Sequence, residues 1–344
     1  MNQASLLAHD TMITSALRTA ASHIVRGPIR LATRRCLPAD FHRRELPLKE
    51  LRASLSPDQA NATIAALLES GKPFLVARLG AVELAAVKRY RKMKTLTAVE
   101  KLADFGITGD WSYCWTRRCT GPLETNAGFF PITHETLDRF AATMIDAMGG
   151  VDLLASWLPG EGYFEAELAG AQLCNLADIE PYYHRNPWSR FLAGRHVLVI
   201  HPFAVSILQQ YNLHRHDLFK DPLVLPEFQL STLRAVQSIA GNRPQGHADW
   251  FSALQSMFDA AVATHADVVI LGCGAYGFPL GAMLKAAGKQ VIHLAGSTQI
   301  LFGIKGKRWD RHRRIADMFN EHWVRPSPEE RPAGVERVED ACYW

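Results

Sequence analysis

The chain has 344 residues, 48% of them hydrophobic and 21% charged, with a formal net charge of +4. These values fit a globular chain of one large α/β domain or two smaller ones, and they argue against a nucleic-acid binder, which would show a basic, aromatic-interleaved surface. The six cysteines (Cys36, Cys114, Cys119, Cys174, Cys273, Cys342) form no C-x-x-C pair. That argues against a zinc site or a disulfide framework and suits a reducing, cytoplasmic compartment. No apolar run reaches the eighteen or so residues of a transmembrane helix.

Residues 1–50 form a basic N-terminal extension. Up to Arg35 there is one acid, Asp10, against Arg18, Arg26, Arg30, Arg34 and Arg35. Leu6, Ile13, Leu17 and Ile24 suggest a loosely amphipathic helix. It reads either as a plain extension or as a peripheral contact with an anionic membrane face; an organellar transit peptide would share the composition.

The α/β domain is expected over residues 51–325. Ser56-Pro57 is a helix start, and Ile64, Ala65, Leu67 and Leu68 give a face ending before Gly71. Phe74–Ala77 is a short strand, followed by Arg78-Leu79-Gly80 and a helix from Ala81 with Glu83 in its first turn. Glu83 is either one edge of a site or a helix-dipole carboxylate. Residues 106–131, rich in Gly, Trp, Tyr and Cys, read as a loop or lid. Thr133 caps a helix to Met148, and Val151–Trp157 is a strand whose outlet carries Glu161, Glu165 and Glu167. His196–Ile200 is another strand, with His201 at its carboxyl end, where α/β proteins place ligands. Leu223–Ala240 is ambiguous between strand and helix, and Ala248–His265 is helical.

The organising stretch is Asp267–Trp309. The strand Val268–Leu271 ends in Gly272, Gly274 and Gly277, spaced G-x-G-x-x-G. A helix near Pro279 runs to Gly288, and Gln290–Leu294 is the next strand. Such a β-loop-α-β unit turns backbone N–H groups and a helix N-terminus toward an anion, typically a phosphate. A dinucleotide site would carry an acid about twenty positions on. Here Ile292, His293, Leu294 and Ala295 stand there, and a basic run follows: Lys305, Lys307, Arg308, Arg311, Arg313 and Arg314. After Trp309 a helix is expected to about Trp323, then a Pro-rich tail, 326–344, extended except where Tyr343-Trp344 could dock.

Together FLVARLGAVEL (74–84), HVLVIHPFAVSI (196–207), LGCGAYGFPLGAMLKAAGK and QILFGIKGKRW resemble bacterial glycosyltransferases of the GT-D fold, over roughly residues 60–325. The resemblance implies a Rossmann-like, doubly wound, mostly parallel sheet and transfer from a nucleotide-sugar donor to a glycan or lipid-linked acceptor in surface polysaccharide or glycoprotein assembly. It implies binding of the donor by Arg78, Gly80, Gly272, Gly274, Tyr276, Gly277, Gln299, Lys305, Lys307 and Arg308. Glu83 is the first candidate base and His201 the second. The family's R-x-G element continues Asp-x-Glu, which serves a divalent metal, Mn or Mg. Ala81 stands at the Asp position, leaving Glu83 alone as a metal-binding carboxylate. The competing readings are a sugar-nucleotide binding protein without turnover and an NAD(P) oxidoreductase.

Overall fold

Short runs of β-branched and bulky apolar residues bounded by glycine or polar residues favour strands buried on both faces. The structure, a computed structural model, describes residues 25–33, 36–37, 51–109, 111 and 113–344. Its strands are β1 (Phe74–Ala77), β2 (Leu153–Ser156), β3 (Gln172–Asn175), β4 (His196–His201), β5 (Gln229–Arg234), β6 (Val268–Leu271) and β7 (Gln290–His293). They form one sheet in the order β3-β2-β1-β7-β6-β4-β5, every pair parallel. All five strands expected from sequence lie in it. β3 and β5 occupy the two edges; within the ambiguous stretch 223–240 only β5 is regular strand, and the rest is irregular up to a 3-10 turn at Ile239–Gly241.

The main helices are α1 (Pro57–Glu69), α2 (Ala81–Thr95), α3 (Ala98–Thr108), α4 (Arg117–Thr125), α5 (His134–Met148), α6 (Ala204–His214), α7 (Trp250–Ala263) and α8 (Gly277–Ala286). Ser56, Thr133 and Asp249 cap α1, α5 and α7 with capping boxes, as their sequences favour. Even-numbered residues of β1 and β6 (Phe74, Val76, Val268, Ile270) share a core with Ile64 and Leu68 of α1 and Ile207 and Tyr211 of α6. On the opposite face α8 packs on β1 and β7, beside α5 and α7. Gly281 permits this approach: a Cβ there would lie 2.7 Å from Leu75 Cδ1. Helices thus cover both faces, which is the doubly wound, Rossmann-like arrangement.

By compactness the chain divides into residues 1–49 with 88–117, and residues 50–87 with 118–344. In the first unit, helical residues 25–33 are joined to α3 by Arg26, whose Nε donates to Gly106 O at 3.2 Å. Lys92 pairs with the buried Asp104 carboxylate at 2.7 Å. The expected amphipathic stripe Leu6–Ile24 lies outside the described residues. The whole sheet belongs to the second unit.

Three expectations are corrected. The stretch read as a loop over 106–131 contains α4, whose proline, Pro122, lies inside the helix. No single helix follows Trp309: short helical turns at Lys307–Asp310 and Arg313–Ala316 break after Asp310, whose carboxylate takes bonds of 2.8 and 2.7 Å from Arg325. That break lets Trp309, Ile315 and Trp323 each be buried. The tail 326–344 is folded rather than extended. Glu330 is buried and accepts from the Val205 N–H at 2.8 Å and from Ser206, and Tyr343 and Trp344 are packed against the body. Among the described residues no helix is long and apolar enough to cross a membrane, and all six cysteines are free thiols.

Gln290 ties the central strand to its surroundings. Its buried Nε2 donates to Leu67 O, Leu68 O and Lys72 O at 3.1–3.2 Å, closing the carboxyl end of α1. Gln290→Ala removes one donor from each of these carbonyls, of which Leu67 O keeps Ser70 Oγ and Leu68 O keeps Arg195 Nη1, and should cost about 1–2 kcal/mol. Urea unfolding monitored by tryptophan fluorescence checks this; a loss under about 0.5 kcal/mol would remove the assigned role.

Candidate active site at the carboxyl edge of the sheet

β1, β4, β6 and β7 are parallel, so the loops that leave them all emerge at one edge of the sheet. Between them lies a cavity of about 220 Å³. Its walls include Arg78, Gly80, Ala81 and Glu83 after β1, Trp157 after β2 and His201 at the end of β4. They also include the loop Gly272–Tyr276 after β6, His293 at the end of β7, then Gln299 and Arg308. Positions more than two hundred residues apart in sequence therefore share one space.

Glu83 turns back over the loop that precedes its helix. A Cβ at Gly80 would collide with the Glu83 carboxylate, so only glycine admits this rotamer. Burial raises the Glu83 carboxyl above the usual carboxylate range, offset in part by its own backbone N–H and by Arg78. Arg78 lies over the Trp157 ring at 4.7 Å and makes no ion pair among the described residues. Trp157 is fixed from below, its Nε1 donating to Leu79 O at 2.9 Å. Two further buried carboxylates sit within Arg78's field. Glu161 accepts from Ser156 Oγ, and Glu180 accepts from Ser297 Oγ at 2.5 Å and Tyr182 OH at 2.9 Å. Burial raises both as well.

The glycine loop does two things that its spacing alone does not reveal. Gly272 and Gly277 make room for histidines. A Cβ at Gly272 would strike the His201 ring, and one at Gly277 would lie 2.6 Å from His293 Cδ2. Their amides are also already used, Gly272 N–H on Ile200 O at 2.9 Å and Gly277 N–H on Gly274 O. Gly277 accordingly stands behind the cavity wall rather than in it. What faces the cavity is the start of a helical run, a 3-10 turn at Gly274–Tyr276 that continues into α8. The first amides of such a run have no internal partner and favour an anion. Gly274, at φ +59°, turns the chain into it. Tyr276 stacks on Trp250 at 4.8 Å, and its hydroxyl meets Ser238 Oγ at 3.0 Å.

His201 accepts from the Phe203 N–H through Nδ1 at 2.9 Å. Nε2 therefore carries the proton of the neutral ring, and His201 presents a donor, not a free basic nitrogen. Burial depresses its value to about 3. His293 is also buried, and neither of its ring nitrogens makes a well-formed hydrogen bond among the described residues, with the Arg78 backbone only a weak polar neighbour. Burial, with the Arg78 charge adding to it and the Arg78 backbone acting weakly against it, depresses its pKa to about 3. Buried Gln299 binds Ile304 O and Tyr343 O through Nε2 and leaves Oε1 unpartnered. An imidazole and an amide oxygen without well-formed hydrogen bonds at a cavity wall are what a polar ligand would satisfy.

Of the three expected basic residues, one reaches the cavity. Arg308 bonds Tyr343 OH at 2.9 Å and pairs with Glu339. Lys305 lies over Phe319 at 5.4 Å, and Lys307 is exposed, donating to Asp340 O at 3.2 Å; neither lines the cavity. The C-terminal wall (Val338, Glu339, Tyr343, Trp344) was not legible as part of a site. It is held by three consecutive left-handed residues, Glu339, Asp340 and Ala341, at φ +47°, +55° and +58°. Non-glycine residues rarely adopt that region, and a run of them is costly. Glu83 and Glu339 are the carboxylates on the cavity wall, and the one three-residue group of metal-ligand type among the described residues lies elsewhere.

No family model, curated protein or solved structure matches the chain.

The histidines set a pH dependence. Their folded values, about 3 against an ordinary 6.5, mean that the unfolded chain binds protons first. Their contribution is complete above pH 6.5 and is lost as pH falls toward 3. Between pH 7.5 and 5 each histidine should account for about 2 kcal/mol of lost stability. His293→Gln should lose about that much less than the unsubstituted protein over the same interval, measured by urea unfolding at both pH values. Parallel losses in the two proteins would contradict a buried neutral His293.

Proposed function

We propose that the chain is a nucleotide-sugar-dependent glycosyltransferase, in keeping with its resemblance to GT-D-type enzymes of bacterial surface glycan assembly. The observation that carries the reading is one cavity. In it a buried carboxylate with a raised proton affinity, Glu83, shares a wall with two arginines, a helix N-terminus and the aromatic face of Trp157. Arg78 and Arg308 supply positive charge for a leaving diphosphate, work that a metal performs elsewhere. Trp157 offers a stacking face for a sugar or a base. In the transfer step the acceptor hydroxyl gives its proton to Glu83 as its oxygen bonds to the sugar's anomeric carbon. The bond from that carbon to the diphosphate oxygen breaks, and the electron pair leaves with the nucleoside diphosphate. His201 serves this scheme as a hydrogen-bond donor through Nε2, and no step passes through a metal.

Ala81 favours one second reading, a sugar-nucleotide binding protein without turnover, since it removes a carboxylate from the pattern that the sequence resembles. The oxidoreductase reading finds His293, not an acid, at the strand end beside the glycine loop.

Two measurements test the proposal. Glu83→Gln should lower donor turnover, slow hydrolysis included, by about a hundredfold or more while nucleoside-diphosphate affinity changes little. Wild-type turnover in that variant would defeat the role of Glu83, and no turnover by either form with any nucleotide sugar would favour the binding protein. Arg308→Ala should weaken nucleoside-diphosphate binding by about tenfold to a hundredfold, as loss of a charge-assisted hydrogen bond does. Glu339→Gln, which frees Arg308 from a half-exposed ion pair worth about 0.2–1 kcal/mol, should tighten it by up to about fivefold. Calorimetric titration with a nucleoside diphosphate at low salt reads both. An Arg308→Ala affinity equal to wild type would exclude Arg308 from the anion site.

A further inference from the structure

Outside the cavity lining, the end of α6 carries a second cluster with defined chemistry. His214 is the last residue of α6, and Asp217 follows in the next turn, its N–H donating to His214 O at 2.8 Å. His322 arrives from a segment more than a hundred residues later. Candidate ligand atoms of the three side chains all lie within 4.8 Å of one another. His214 Nδ1 is 4.0 Å from Asp217 Oδ2, and the two imidazole rings are 5.1 Å apart, centroid to centroid, at 35°.

The scaffold behind these side chains is rigid. Asn320 Nδ2 donates to Asp217 O at 2.8 Å, and Asn320 Oδ1 receives the His322 N–H at 3.0 Å. From α6, Gln210 Nε2 donates to His322 O at 2.8 Å, and Trp323 Nε1 reaches Leu218 O at 3.1 Å. Three of these hydrogen bonds hold the His322 segment against the end of α6 and the turn after it, while the three side chains that could add a fourth link make none with one another. Two half-exposed imidazoles side by side bring no gain if both are charged. Both become useful when neutral lone pairs converge on a cation.

We propose that His214, Asp217 and His322 form a binding site for a divalent transition metal of the zinc class. Two imidazoles and one carboxylate select zinc, cobalt or nickel over magnesium and calcium, which prefer oxygen donors. Zinc bonds of about 2.0–2.2 Å place tetrahedral ligands some 3.3 Å apart, so the donors must each close by under about an ångström. Side-chain rotation at these half-exposed positions supplies that. The fourth position belongs to water, with Glu321 Oε1, 3.7 Å from His322 Nε2, at the rim. None of the three residues lines the cavity. The metal is a staple between α6 and the segment that leads into the C-terminal wall, and the site is independent of the proposed transfer reaction.

The test uses the full chain without a histidine tag, stripped with chelator and dialysed. Zinc is titrated in competition with a chromogenic chelator, and cobalt is followed by its visible absorption. One zinc equivalent should bind and raise the melting temperature, a cobalt spectrum of low coordination number should appear, and magnesium and calcium should do neither. His322→Gln and, separately, Asp217→Asn should each weaken zinc binding at least tenfold and abolish the zinc-dependent rise in melting temperature. The asparagine change is nearly isosteric at an exposed position, so it keeps the test decisive if the histidine variant does not fold. Zinc binding of unchanged strength in the folded variants, or none in the parent chain, would overturn the site.

Discussion

The fold depends on the insertion of β7 between β1 and β6. The sheet is otherwise two sequence-local thirds, β1–β3 on one side and β4–β6 on the other, each with an apolar strand at its inner edge. β7 satisfies both edges at once: Val291 pairs with Leu75 on one side and with Val269 on the other. The same strand starts at Gln290, which closes α1, and ends at His293, which lines the cavity. Four residues thus set the register of both halves and bring the arginine and carboxylate of one beside the glycine loop of the other.

The carboxyl edge concentrates charge in a buried place. Glu83, Glu161 and Glu180 all lie within the field of Arg78, and burial raises each of them. Arg78 is the cation that all three share, and its attraction offsets only part of what burial does to them. Arg308 is in the opposite position, matched by Glu339 from the tail and stacked on Tyr343. The two arginines therefore present different faces to an anion: Arg78 without an ion-pair partner, Arg308 with a carboxylate to exchange.

What the sequence revealed follows from what is local in it. The central strands announce themselves as short apolar runs, and the helix caps as Ser, Thr or Asp before a periodic face. β3 and β5 do not, because edge strands are half solvated and read Gln-Leu-Cys-Asn and Gln-Leu-Ser-Thr-Leu-Arg. In the site, Arg78, Gly80, Glu83, His201, Gln299 and Arg308 were singled out, and the fold gathers them. Lys305 and Lys307 were grouped with Arg308 by adjacency alone, although neighbouring residues in a turn point in different directions. Gly277 was taken for a ligand contact, whereas the ring it accommodates, His293, lies sixteen residues on and is discoverable only once β7 is set beside β6. The tail's part in the wall depends on left-handed residues at 339–341, which no propensity favours.

The place of β7 also has a meaning for synthesis. Phe74 and its partner Gln290 are more than two hundred residues apart, so the ribosome exposes β1 long before the strand that covers its open edge exists. Until then the nascent chain holds an unpaired apolar strand edge on each half-sheet, the kind of surface that recruits other chains. A product interrupted between Leu271 and Gln290 would have six of its seven strands, yet lack the strand that joins them. Such fragments are substrates for chaperones and proteases, and the last sixth of the chain decides whether the rest was worth translating.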